Sequence, residues 1–151
     1  MISLSDKKKA LEHIYYEFST LCECVNRLAE DVEQSEKNIL LDSFAIHARN
    51  LYYFFYSTPK QDDISIEHYL QGITEHLIPK GDLEKIVSKG NKQVAHLTYS
   101  RNNYGFDEKK WIIGDIFPKL VENMQIFTIN LPNEYKDSEY VEYLNKMLHL
   151  S

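Results

Sequence analysis

The segment from Lys85 to Phe106 is where residue types and spacing best fit a chemical task. It holds Lys85, Lys89, Lys92 and Arg101, and no acidic residue falls between Glu84 and Asp107. Read as a helix at about 100° per residue, Lys85, Lys89, Lys92 and His96 fall at about 0°, 40°, −20° and 20°, one narrow stripe. Leu83, Ile86, Val87, Val94 and Leu97 collect on the far side, with Gly90 among them where a neighbouring helix can approach closely. A row of ammonium groups beside an imidazole can hold a phosphate and set an acid or base next to it. The competing reading is a solvated helix face, because lysines at this spacing are common. So few cations predict weak, steeply salt-dependent nucleic-acid binding, or binding that needs a dimer to double the stripe.

Two further residues have the right chemistry. His47, in the run FAIHARN, shares a face with Leu40, Phe44, Leu51 and Phe54. A histidine in an apolar stripe reads first as a core residue with satisfied ring nitrogens and second as a ligand. Arg49 points elsewhere, along a face with Asp42, Tyr53 and Tyr56, and either pairs with Asp42 or a neighbouring helix or projects into a cleft. His47, Arg49 and Arg101 are the candidate lining of such a cleft. No metal is expected: Glu-x-x-His repeats and His-Glu-x-x-His are both missing, and the six histidines include no pair four residues apart. His13 and Glu17 have that spacing and read as a surface hydrogen bond. Neither a P-loop nor a nucleophile elbow occurs, so no nucleotide or other cofactor is expected.

The elements that must position these residues follow from composition and periodicity. The chain has 151 residues, 43% of them hydrophobic and 26% charged, which suits one soluble globular domain covering 1–151. Five glycines and four prolines speak against an all-β fold. The formal net charge of −6 would repel nucleic acid unless positive charge is gathered locally. No apolar run has the length of a signal peptide or membrane span, and Cys22 and Cys24, about 200° apart on a helix, read as reduced packing thiols of a cytoplasmic protein.

Ser5 or Asp6 can cap a first helix to about Asp31 that buries Leu11, Ile14, Phe18, Leu21, Val25 and Leu28. A second, Ser35 to Ser57, ends in LYYFFY, apolar or aromatic all round, and is expected at the centre. Residues 58–63 read as a loop, and Ile64 to Leu77 as a shorter helix closed by Pro79 and Gly81. Asp82 can cap Leu83 to Ser100. Asp107 to Asn130 follows, burying Ile113, Ile116, Phe117, Leu120, Met124 and Phe127, with Pro118 as a kink or a later start. Ser138 to His149 is an amphipathic appendage carrying Tyr140, Val141, Leu144, Met147 and Leu148. The expected architecture is an all-α, up-and-down bundle of four main helices with short additions.

On its helical layout, HARNLYYFF in an early helix and GNKQVAHLTYSR in a later one, the chain resembles the HEPN superfamily of small prokaryotic helical bundles. That resemblance implies phage-defence or toxin–antitoxin settings, homodimers, and in active members metal-independent RNA cleavage by an arginine, a following polar residue and a histidine. Asn91 and His96 match the polar residue and the histidine. Gly90 stands where the arginine belongs, and Lys89 and Lys92 lack its bidentate fork. The resemblance therefore implies a non-catalytic or weakly catalytic RNA- or partner-binding module. Its alternatives are a ribonuclease, in which Lys89 and Lys92 hold the phosphate, Asn91 orients the site and His96 activates a 2′-hydroxyl, and an interaction subunit docking through the C-terminal helix.

Overall fold

The computed structural model describes the backbone of residues 1–90 and 106–150, and the side chains of 1–89 and 113–150. The described residues are all helical or connecting, with no strand. Helix α1 spans Leu4–Leu28 and α2 spans Gln34–Tyr56. The cap of α1 is Ser3 rather than Ser5 or Asp6: its hydroxyl accepts the Asp6 N–H at 3.1 Å and donates to the Asp6 carboxylate at 2.6 Å. Arg27 at the end of α1 pairs with Glu30 and with Glu36 in the first turn of α2, which clamps the α1–α2 corner.

The expected helix from Ile64 to Leu77 is instead a chain of 3₁₀ turns at Ile66–His68, Ile73–His76 and Lys80–Asp82. Side chains out-compete the helix ladder here. Glu67 accepts the Gly72 N–H at 3.1 Å and the Thr74 hydroxyl at 2.7 Å, and Gly72 turns the chain at φ 74°, a left-handed conformation that glycine tolerates. Asp82 accordingly lies in the last of these turns and caps nothing.

Helix α3 covers Lys85–Gly90 and so starts two residues later than the element expected from Leu83 to Ser100, Leu83 and Glu84 forming a turn before it. Helix α4 runs Phe106–Asn130 with Pro118 inside it, so it does not start at the proline. Pro118 and the residue four before it, Gly114, are both exposed, so the carbonyl that loses its N–H donor faces solvent.

Helix α5 spans Glu139–Met147. It differs from the expected appendage: Val141, Leu144 and Leu148 belong to the same buried cluster as Leu11, Phe18, Phe44 and Phe127. Tyr15 of α1 lies 5.9 Å from Tyr140 and 5.5 Å from Tyr143, ring centre to ring centre, and Lys8 bonds Asp137 at 2.8 Å. Helix α2 touches α1, α3 and α4, and Phe44, Ala48, Leu51, Tyr52, Phe54 and Phe55 on it are buried. Its apolar run is central, as its lack of a polar side predicts. Only Tyr53 of that run is exposed.

Candidate functional site

The alternation of burial and exposure expected of the basic segment holds over its described start. Leu83 is 0% and Ile86 3% exposed, whereas Lys85 is exposed and Lys89 half-buried. Hydrophobic burial at 83 and 86 therefore turns Lys85 away from the core. Asn91, Lys92, His96 and Arg101 lie outside the described residues.

A closed ring of hydrogen bonds fixes the approach to α3. Tyr56 on α2 donates its hydroxyl to the Ile78 carbonyl at 2.6 Å, the Ile78 N–H donates to Asn123 Oδ1 of α4 at 2.9 Å, and Asn123 Nδ2 donates back to the Tyr56 hydroxyl at 2.7 Å. Asn123 is fully buried, and these bonds satisfy both ends of its amide. Burial, followed by smaller charge effects, pushes the Tyr56 phenol upward despite the opposing bond from Asn123, which keeps it a neutral donor. The chain is thereby pinned at 78, two residues before Lys80 and seven before Lys85.

His47 is half-buried between α1 and α2. Its Nδ1 lies 2.6 Å from Glu17 Oε2, which also accepts Asn50 Nδ2 at 3.1 Å, and Tyr16 meets the imidazole edge-on at 5.6 Å. Glu17 is thus engaged by α2 rather than reserved for His13. The i, i+3 spacing of His47 and Asn50 puts both on the side that faces this carboxylate.

Arg49, about 200° further round the same helix, leaves that face. Its guanidinium lies over the Tyr53 ring at 5.5 Å, and its Nε is buried with no hydrogen-bond partner among the described residues. His47 and Arg49 therefore do not line one cleft, and Arg101, the third residue assigned to it, is outside the described part.

Sequence reasoning missed a groove beside the second half of α2. Two adjoining hollows of about 250 and about 680 Å³ share Asn50, Phe54, Asp63 and Ile64. Glu17 and Asp62 face the smaller; Lys60, Lys80 and Tyr53 face the larger. Asp63 Oδ2 accepts the Lys60 N–H at 2.9 Å and holds the loop shape. No periodicity links Lys60 to Lys80, twenty positions apart across irregular turns; the signal in the sequence was the i, i+4 pair His13 and Glu17, both of which line the smaller hollow.

Cys22 and Cys24 are both free thiols, and burial pushes the Cys22 thiol up to about 11. The Cys22 thiol is therefore a poor nucleophile at neutral pH. Among the described residues no group of three or more His, Cys, Asp or Glu side chains is placed to hold a metal ion, and no helix is long and apolar enough to cross a membrane. No family model matches this chain, and neither does any curated protein or solved structure.

Proposed function

We propose that this chain is a HEPN-like, up-and-down helical bundle that binds single-stranded RNA through the lysines of residues 85–92, without cleaving it. One observation carries the reading: Leu83 and Ile86 are buried while Lys85 is exposed, so the helix presents cations outward in a protein of net charge −6. Lys80 and Lys60 line the groove together with Asp63 and with Tyr53, an exposed aromatic ring of the kind on which a base can stack. The arginine of the superfamily's cleavage motif is replaced by Gly90, and a lysine's point charge does not supply the fork that steadies a phosphoryl group in transfer.

The test is binding of a fluorescent single-stranded oligonucleotide at low salt, followed by anisotropy. Replacing Lys85, Lys89 and Lys92 by Glu should weaken binding by at least about 100-fold, because three attractions become three repulsions. The RNA recovered from the parent protein should be intact. Equal binding by the triple variant would remove α3 from the interface, and metal-independent cleavage lost in His96→Ala would replace this reading with the ribonuclease one.

A further inference from the structure

The two hollows beside α2 are of opposite charge. Glu17, Asp62 and Asp63 line the smaller, with no lysine or arginine among the described residues there. Lys60 and Lys80 line the larger, where Asp63 is the one carboxylate among the described residues. A tight turn separates the two signs. The Asp63 carboxylate accepts the Lys60 N–H at 2.9 Å, and the Asp63 N–H donates to the Lys60 carbonyl at 3.1 Å. Lys60 and Asp62, opposite charges two residues apart, consequently face different hollows, and neither they nor Lys80 are in an ion pair among the described residues. Phe54 and Ile64 belong to both hollows, and Ile64 is 36% exposed, so an apolar saddle joins the acidic end to the basic one.

We infer that this groove binds a small dipolar ligand, an aliphatic chain with an ammonium group at one end and a carboxylate at the other. The ammonium enters the smaller hollow against Asp62. Glu17 stays bonded to His47 and Asn50 and contributes charge there rather than a new bond. The methylene chain crosses Phe54 and Ile64, and the carboxylate meets Lys60 and Lys80. Size agrees: the larger hollow, about 680 Å³, lies within the range of small-molecule sites, about 300–1,000 Å³. The setting strengthens both contacts, since a charge above an apolar floor is less screened than one on open surface. A ligand with a single charge leaves one end of the groove unanswered, so the segregation of charge selects for two. Neither Lys85 nor Lys89 lines either hollow, and the inference stands apart from the RNA-binding reading.

Amide-shift titrations by NMR at low salt test it, with 6-aminohexanoate as the dipolar probe and hexylamine and hexanoate as its single-ended counterparts. The probe should move the amide signals of residues 60–64 saturably and bind at least about 10-fold tighter than either counterpart, because it alone engages both ends. Asp62 and Lys80 are exposed, so their variants should fold as the parent does, checked by far-UV circular dichroism. Asp62→Asn should weaken 6-aminohexanoate and hexylamine by about fivefold or more and leave hexanoate unchanged. Lys80→Gln should weaken 6-aminohexanoate and hexanoate to a similar extent and leave hexylamine unchanged. No saturable shift with the probe, a counterpart that binds as tightly as the probe, or either variant binding the probe like the parent would each overturn the inference. So would variants that weaken all three compounds alike.

Discussion

Asn123 pins the chain at Ile78, seven residues before α3, and its substitution gives the clearest energetic test. Asn123→Leu keeps the side-chain volume while removing both bonds, leaving the Ile78 N–H without an acceptor and the Tyr56 hydroxyl oxygen without its donor. An orphaned backbone donor costs about 1–3 kcal/mol, and leucine returns part of that through apolar burial, so the expected net loss is about 2 kcal/mol. In a chain of this length that lowers the thermal midpoint by about 4–8 °C. Urea denaturation should show a lower midpoint at unchanged slope. Tyr56→Phe should cost about 1 kcal/mol, and the double variant should lose at least about 0.5 kcal/mol less than the sum, since each substitution disrupts the same ring. Hydrogen exchange at the Ile78 amide should accelerate in both. A leucine variant within about 0.5 kcal/mol of the parent, or strict additivity, would refute the idea that this ring holds the segment.

Three other outcomes are expected. Glu17→Gln should cost about 1–2 kcal/mol in chemical denaturation, because the Asn50 amide and the His47 ring lose a charged acceptor, while His13→Ala should be nearly silent. Gly72→Ala should cost about 1–2 kcal/mol by urea titration: a Cβ there meets no atom, so the whole effect is the φ of 74°. Burial, then the neighbouring Tyr135, raises the Tyr69 phenol well above its ordinary value, and its hydroxyl donates to the Lys7 carbonyl at 2.8 Å. A raised phenol stabilises the fold fully below the unfolded-state value of about 10 and loses that contribution as pH rises through the folded-state value. Stability of the parent should therefore fall more steeply than that of Tyr69→Phe above pH about 10, measured by denaturant midpoints across the alkaline range.

Much of the helical layout was legible because long amphipathic periods dominate it. Leu11, Ile14, Phe18 and Leu21 in α1, and Ile116, Leu120, Met124 and Phe127 in α4, are buried at the positions their spacing predicts. LYYFFY announced the centrality of α2. Where local side-chain bonds decide the backbone, as Glu67 does at Gly72 and Thr74, apolar periodicity misleads, and a helix expected over Ile64 to Leu77 becomes 3₁₀ turns. The C-terminal stripe showed that α5 is amphipathic but not what its apolar face meets; the core of its own chain takes it.

The candidate site was legible in part for the same reason. Alternation of Leu83, Ile86 and Lys85 is a local pattern and survives in the structure. The groove is assembled from Glu17, Asn50, Lys60 and Lys80, which no sequence period connects, and Asn123 reaches Tyr56 across 67 positions. Contacts of that range are set by packing, and they leave no spacing to read.

The salt dependence of RNA affinity bears most directly on the role assigned to α3. Three ammonium–phosphate contacts on a single strand, at about −0.7 each, give a slope near −2 for log affinity against log salt. The parent should show that slope and lose it when Lys85, Lys89 and Lys92 become Glu. No measurable binding by the parent, or the same slope in the variant, would contradict it.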